Sequence, residues 1–557
     1  MFGPLKRWFE SSAAATPVTA SEPDFGATAG KDAYRAGLAC FNAGDYGAAA
    51  TLFEAAIAER HDDACAHCGL GVVNFKLQKF EDAADSFHLA VHFRPQYAEP
   101  HYYLALLAQR EGNLKAAMDG AARACALQPG FADAHHLLGA CAMAAGDIDR
   151  AVASFTKAVE LKPQTATFLS DLGYVLTRDC GKLAEGAGYL EKAVQLDPAN
   201  PSIQVNYCLV LWHQGRLDAI IAICTRLLDA NPNDNEARLN RALALLKKGL
   251  FAEGWPDYEA RRHTRSNFSQ RPYQFAPWQG QPLRGKTLLV YGEQGLGDEI
   301  MFASCLPEVI ETGARCIIEC SPRLEMLFRR SFPATVVHGA SQASGDTSWL
   351  DQFGLVDFQI AAGDLPAMFR QRLADFPRHA GYLRPVPART EYWSARLQAL
   401  GTGPKIGIAW RGGTVSTRGA LRSLDLRALT PLLQRKGLHF ISLQYDATIA
   451  EVSNAARAQG FELCHWPDAI DDLDETAALM PSLDLVITVC NAGMHLAGAS
   501  GRPTWAMVAA VPDWRYLEKG DSLPWYPSVR MFRQSAPGDW QNVIDQIEQA
   551  LFKRYPV

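Results

Sequence analysis

Three glycine-rich stretches in the second half of the chain carry residue types suited to holding a phosphate. The first, residues 291–299, reads YGEQGLGDE. Its glycines permit close backbone approach to a ligand, and a helix beginning there offers its positive end. Gly295 and Gly297 are the ligand-facing candidates, and Asp298 stands where it either caps the helix or takes a proton as a general base. The second, residues 409–413, reads AWRGG and sets the cation Arg411 beside Gly412 and Gly413, a combination suited to phosphate. Arg418 and Arg422 follow, either adding positive charge or lying in a solvated loop. The third, residues 489–499, reads VCNAGMHLAGA. A small-residue helix starting near Gly493 would leave the N–H groups around Asn491, Ala492 and Gly493 free to cradle a diphosphate. His495, in the first turn, either bonds the phosphate or ribose or is structural.

These loops need strands that end at them and helices that begin at them. Apolar runs at 287–291, 316–319, 406–410, 440–443, 485–489 and 504–508 read as strands. Helical patterns fall between them at 299–311, 323–330, 392–400, 426–434 and 475–480. Such alternation implies parallel sheets with helices on both faces. A proline-containing stretch, residues 377–389, divides the region into two doubly wound lobes, with a ligand cleft expected at the carboxyl ends of the strands.

The first half has a different grammar. Pro95, Pro129, Pro163, Pro198 and Pro232 recur at gaps of 34, 34, 35 and 34 residues. They close segments of the type A-x-x-x-F-x-x-A-x-x-L-x-P, as in Ala83, Phe87, Ala90 to Pro95 and Ala151, Phe155, Ala158 to Pro163. Gly37, Gly71, Ala105, Gly139 and Gly173 mark close helix contacts; Gly44, Gly112, Gly146, Gly215 and Gly249 mark turns. This is the tetratricopeptide pattern, and it predicts a curved all-α superhelix of about seven helix pairs over residues 30–263. The first unit has His61 in place of its proline, and the last departs into GWPDYE at 254–259. Asp171, Asn206 and Asn240 hold the sixth position of units five, six and seven. In register they form a ladder that either grips an extended peptide backbone or is simply solvated.

Composition narrows the function classes. The chain has 557 residues, 48% hydrophobic and 20% charged, with a net charge of -6. That balance argues against nucleic acid or an anionic membrane as the main partner. No apolar run is long enough to span a membrane and no secretory signal core follows the start, so a cytoplasmic protein is expected. Residues 1–29 read as a flexible tail, although Phe2, Leu5, Trp8 and Phe9 also suit a small amphipathic anchor. The 13 cysteines lack framework spacing and read as reduced core thiols. Cys65 and Cys68 beside His61 and His67 invite a zinc reading, but no second ligand pair lies near.

GEQGLGDEIMFA, GIAWRGG with the later RSLDL and SLQYD, and DLVITVCNAGMHLAGASGRP resemble, in this order, the two-lobed GT-B glycosyltransferases. The similarity is strongest to the bacterial heptosyltransferase-like family and its repeat-fused relatives. It covers residues of about 278 to 552, and DWRYLEKGDSLPWYPSVRMFRQ resembles the fused relatives too. The layout is similar to protein O-GlcNAc transferases, whose repeat groove carries an asparagine ladder, and to alphaproteobacterial flagellin glycosyltransferases. The resemblance implies a GT-B N-terminal lobe with linker at 264–385 and a C-terminal nucleotide-sugar lobe at 386–557. It implies Asp298 as catalytic base, and Arg411, Gln444 and the turn 491–496, through Leu496, on the sugar-nucleotide side. Heptosyltransferases usually have Asp-Thr where this chain has Cys490-Asn491, which argues against heptose and a lipopolysaccharide acceptor.

The expected chemistry is displacement at the anomeric carbon of a nucleotide sugar. Arg411 and the helix start near Asn491 would stabilise the leaving phosphate. No metal or other cofactor is expected, since the acidic residues form no metal-binding cluster in the sequence. The favoured acceptor is a Ser or Thr of a protein held by the repeats, with flagellin as an instance. The alternative is a catalytically inactive GT-B and tetratricopeptide scaffold for protein–protein interaction.

Overall fold

The computed structural model describes residues 30–264, 271, 273–340, 346–413 and 419–556. The expected tail, residues 1–29, and Arg418 lie outside the described residues. The chain packs as two compact units, one ending at Val210 and the other beginning at Leu211. Among the described residues no helix is long and apolar enough to cross a membrane.

Seven helix pairs run from Lys31–Asn42 and Tyr46–Glu59 to Asn235–Lys247 and Phe251–Tyr258 among the described residues. Proline spacing explains where they stop. The helices Phe80–Phe93, Leu114–Leu127, Ile148–Leu161 and Leu183–Leu196 each end two residues before a proline, which cannot continue a helix. Helix contact explains the glycines. A Cβ on Gly71 would stand 2.7 Å from the Phe87 ring, and one on Gly139 would stand 2.7 Å from the Phe155 ring. Phe53, Phe87 and Phe155 are fully buried in these contacts. The turn residues Gly44, Gly112 and Gly146 all have φ of 81°, in the left-handed region that favours glycine.

The second unit carries two sheets besides the last helices. The first contains β1 (Ala276–Pro277), β2 (Thr287–Tyr291), β3 (Arg315–Cys320), β4 (Val336–Gly339) and β5 (Phe358–Ala361), in the order β1-β5-β2-β3-β4, all parallel. The second contains β6 (Lys405–Ala409), β7 (His439–Ser442), β8 (Leu485–Val489), β9 (Thr504–Val508), β10 (Ser522–Leu523) and β11 (Tyr526–Arg533), in the order β10-β11-β9-β8-β6-β7. Only the β10–β11 pair is antiparallel among the described strands. The strands β6 and β8 are buried along their whole length, as parallel strands covered on both faces must be. Ile408, Ile487 and Met507 meet Val543, Ile547 and Leu551 of the final helix, Trp540–Arg554, in one apolar cluster.

Three departures from the expected elements have physical causes. The helical pattern at 299–311 splits into Leu296–Phe302 and Leu306–Glu311, because Pro307 has no N–H to carry the ladder through and instead opens the second helix. The strands β4 and β5 have four residues each, too few to show a period. The strand β11, beside the short edge strand β10, mixes buried residues with Pro527, Ser528, Arg530 and Arg533 and so lacks the continuous apolar run of a central strand.

Candidate functional site

The two sheets send their carboxyl-terminal loops toward one another within the second unit. After β2, the chain passes through Gly292, Glu293 and Gln294 to Gly295, which precedes the helix Leu296–Phe302. After β8, Cys490 and Asn491 lead into the helix Ala492–Ala499. These two helix starts touch: a Cβ on Gly297 would lie 2.9 Å from His495 Cδ2 and 3.6 Å from Ala492 Cα. Glycine at 297 is therefore what allows the approach. Gly295 is exposed, and the nearest atom to its Cβ position is Asp298 Oδ2 at 3.9 Å.

Asp298 lies in the first turn of its helix, half-buried, with its carboxylate on the Arg515 guanidinium. Arg515 also donates from Nη1 to Asp513 Oδ2 at 2.6 Å. Burial works against the charge on Arg515, but the Asp298 and Asp513 carboxylates outweigh it and push its pKa well above the usual arginine range. Burial is also the largest influence on Asp513, but Arg515 prevails and lowers its pKa below the usual carboxylate value. Next to Asp298, Glu299 is buried and accepts from the Ser321 N–H at 2.8 Å; its burial raises its pKa to about 7.

The β2 loop is pinned from the other side by the end of the last helix pair. Glu293 Oε1 accepts from Arg261 Nε at 2.6 Å, and Gln294 Nε2 donates to the Tyr258 hydroxyl at 3.1 Å. Arg261 is fully buried and also donates to Asp364 Oδ1 at 2.6 Å. A Cβ on Gly363 would lie 2.7 Å from Glu293 Oε1 and 2.8 Å from Arg261 Nη2, so the pair closes against bare backbone.

The loops of the second sheet are stapled by two amides. Gln444 is fully buried, and its Oε1 accepts from both the Trp410 and Arg411 N–H groups at 2.8 Å. Asn491 Nδ2 donates to the Arg411 carbonyl at 3.1 Å, while its Oδ1 accepts from the Met494 N–H at 3.0 Å and so caps the helix. A Cβ on Gly412 would stand 2.9 Å from the Cys490 carbonyl oxygen. Arg422 donates to that carbonyl at 3.5 Å.

Several candidate side chains stand differently from the sequence expectation. The Arg411 guanidinium, expected on a phosphate, is held by Glu451 at 2.5 Å and Asp446 at 3.2 Å, with the Glu451 hydrogen bond first in raising its pKa. Gln444, expected on the sugar-nucleotide side, is a buried staple between loops. His495 is buried, with Nδ1 3.0 Å from the Tyr526 hydroxyl. Burial, followed by the nearby charges of Arg515 and Arg422, lowers its pKa to about 3, so it is a neutral imidazole at ordinary pH. Leu496 is fully buried and presents no surface to a ligand, because helical geometry turns it to the core one residue after His495. Ala492 and Gly493 are half-buried at the helix start, where N–H groups lack intrahelical partners.

The ladder expectation also changes. Asp171 is buried and lies with Oδ2 2.8 Å from His136 Nε2, and Asn206 Nδ2 donates to Ser170 Oγ at 3.0 Å. Asp171 and Asn206 thus each meet the fifth-position side chain of the preceding pair, joining repeats instead of facing a peptide. Asn240 is buried, and neither of its amide atoms has a hydrogen-bond partner among the described residues.

Sequence reasoning missed Arg515, Asp513, Arg261 and Glu293 as site residues. The string DWRY contained the first two, but Asp298 and Arg515 are 217 residues apart and nothing local announces their pairing.

Two tetratricopeptide-repeat family models match the chain, one over residues 34–98 and 136–201 and the other over residues 179–246. Protein FlbA of Caulobacter vibrioides is 32% identical over 406 residues, which are 70% of this chain and 67% of that protein. Among solved structures, Pseudomonas aeruginosa PilF is similar with a TM-score of 0.35 and 15% identity, over 38% of this chain and 96% of PilF. The Thermus thermophilus tetratricopeptide protein TTC0263 is similar with a TM-score of 0.28 and 26% identity, over 33% of this chain and 99% of its own.

Proposed function

The chain belongs to the family of the Caulobacter vibrioides protein FlbA, and from that premise we propose that it is a nucleotide-sugar-dependent glycosyltransferase of the GT-B class acting on a protein held by its tetratricopeptide repeats. The observation that carries this reading is the meeting of Gly297 and Asp298, on the first-sheet side, with Ala492 and His495 at the helix start on the second. A carboxylate able to take a proton thereby sits beside N–H groups able to hold a departing diphosphate.

In the proposed reaction a serine or threonine hydroxyl oxygen attacks the anomeric carbon of the donor, and the bond from that carbon to the phosphate oxygen breaks. The hydroxyl proton passes to an Asp298 oxygen, and the bond electrons leave with the nucleotide. The charge growing on that phosphate is met by the N–H groups of Ala492 and Gly493 and by the neighbouring cations Arg422 and Arg515. No metal is needed for these steps. Arg411 contributes through its backbone, which Gln444 and Asn491 lock, and its side chain reaches a phosphate only by exchanging Glu451 and Asp446 for it. The layout resembles flagellin glycosyltransferases, which gives flagellin as an instance of the acceptor and a cytoplasmic site of action.

One observation favours the second reading, an inactive scaffold: Cys490 stands where heptosyltransferases usually have an aspartate, and burial pushes its thiol to about 11, so no charge stands in that place at neutral pH. Incubation with a panel of nucleotide sugars, followed by assay of nucleotide release, separates the two. Release or transfer with some donor is expected. No release, no transfer and no nucleotide binding with any donor would leave only the scaffold.

A further inference from the structure

His495 is 5% exposed, and only one of its two ring nitrogens has a hydrogen-bond partner among the described residues. Nδ1 lies 3.0 Å from the hydroxyl of Tyr526, on β11. Nε2 and Cδ2 form the ring edge turned to the place where the two helix starts meet. A Cβ on Gly297 would stand 3.5 Å from Nε2 and 3.6 Å from Ala492 Cα. We propose that Tyr526 and Tyr382 hold His495 in its Nδ1–H form, so that the Nε2 lone pair accepts a hydrogen bond from a substrate hydroxyl and does not hold the phosphate. That this hydroxyl belongs to a nucleotide sugar or to its acceptor rests on the glycosyl-transfer reading.

Counting protons along the buried chain fixes the form. A hydroxyl donates once, and a backbone carbonyl only accepts. Tyr382, on the stretch between the two sheets, donates to the Ile300 carbonyl at 2.6 Å. Its oxygen is left to accept, and the Tyr526 hydroxyl hydrogen-bonds it. With that proton spent, Tyr526 meets Nδ1 as an acceptor, so Nδ1 carries the imidazole proton. Burial raises the pKa of both tyrosines far above the usual phenol range, so neither hydroxyl is ionised. The imidazole itself is neutral, because burial and then the charges of Arg515 and Arg422 oppose a second proton. Nε2 is therefore bare. Ile300 lies on the helix Leu296–Phe302, which also carries Asp298, so the chain of bonds begins on the element that holds the proposed base.

A bare ring nitrogen selects its ligand by what it lacks. It accepts and cannot donate. The oxygens of an ionised diphosphate also offer only lone pairs, so the two repel. A hydroxyl supplies the missing proton. A substrate that fills the site strips water from Nε2, which is costly unless the substrate donates to it. An analogue without that hydroxyl is therefore rejected by more than the value of one hydrogen bond. The phosphate is left to the N–H groups of Ala492 and Gly493 and to the neighbouring cations.

The test labels the histidine rings of the full-length protein with the heavy nitrogen isotope and reads them by NMR. The His495 signals are those missing from His495→Gln. The free protein is expected to show a protonated Nδ1 and an unprotonated Nε2. Tyr526→Phe removes the acceptor at Nδ1 and is expected to move the proton to Nε2. Tyr382→Phe frees the Tyr526 proton for donation to Nδ1, gives the same move, and serves if Tyr526→Phe does not fold. A protonated Nε2 in the wild type, or a proton that moves in neither variant, overturns the proposal. The variants are then assayed for binding and transfer. Inorganic diphosphate, which has no hydroxyl, is expected to bind them at least as tightly as wild type, because a protonated Nε2 donates to it; weaker binding overturns the proposal. The KM of the donor or that of the acceptor is expected to rise about tenfold, and the one that rises carries the hydroxyl. Neither rising overturns the hydroxyl assignment. No binding or transfer with any nucleotide sugar removes the glycosyl-transfer reading and the hydroxyl with it, whereas the position of the proton is decided in the free protein.

Discussion

At the scale of single residues, Asp298 and His495 make opposite demands on their surroundings. Asp298 is half-buried and its carboxylate has one cationic partner, Arg515, leaving it open to a hydroxyl. Replacing it with asparagine preserves shape but removes the proton acceptor of the proposed transfer. The expected outcome for Asp298→Asn is a loss of kcat/KM of about a hundredfold to ten-thousandfold, with peptide affinity unchanged; transfer at the wild-type rate would exclude Asp298 as base. His495 is kept neutral in the fold, with its pKa lowered to about 3 from an unfolded value near 6.5. The unfolded chain therefore binds a proton that the folded chain refuses. Stability from this group is complete above about pH 6.5 and is lost as pH falls toward 3, on the order of a few kcal/mol over the range. Urea midpoints measured from pH 7.5 to 4.5 should fall less steeply for His495→Gln than for wild type.

At the scale of elements, the loops after β6 and β8 are held by two buried amides and one bare backbone position. Gly412 is where the β6 loop passes over the Cys490 carbonyl, with 2.9 Å available to a Cβ. That carbonyl is backbone, so the backbone itself must move. Gly412→Ala is expected to cost about 1–3 kcal/mol, read from the urea midpoint, and to weaken donor binding as the Gln444 and Asn491 staples are displaced. The buried Glu299 gives the helix Leu296–Phe302 a pH signature of its own. Its pKa is raised to about 7 in the fold, so its protonated form is favoured and its contribution is lost as pH rises from about 4.5 through 7. Glu299→Gln should therefore raise the melting midpoint at pH 8 and change it little at pH 5. A gain of equal size at both values would mean that charge burial is not the cause.

At the scale of the whole molecule, the buried Arg261 ties the end of the last helix pair to the first sheet's loops through Glu293 and Asp364. This junction lies wholly within the second compact unit, so that unit includes repeat helices as well as both sheets. Removing the cation alone would strand the buried Glu293 carboxylate, while Asp364 keeps Arg262 at 2.6 Å. Arg261→Met is expected to cost about 3–5 kcal/mol in the unfolding transition of this unit, measured by urea denaturation of the full chain. A double change that also neutralises Glu293 as glutamine should recover much of that loss.

The repeats were readable from the chain because their constraint is local and recurs: a proline follows the second helix of successive pairs at nearly constant spacing, and a missing Cβ admits a ring at the same place in the first, second and fourth pairs. The runs that became β2, β6, β8 and β9 were readable for a related reason, since a strand covered on both faces must be apolar throughout. Gly295, Asp298, Arg411 and Asn491 could be nominated because loops between such strands and helices are short. Their partners could not be named from the chain. Whether Arg411 faces a phosphate or Glu451, whether Asn206 faces a peptide or Ser170, and whether Asp298 has a cation beside it are matters of which distant segments meet. Side-chain type and spacing encode what a residue is able to bond. Only the packed chain, by excluding water and fixing neighbours, selects which of those bonds form.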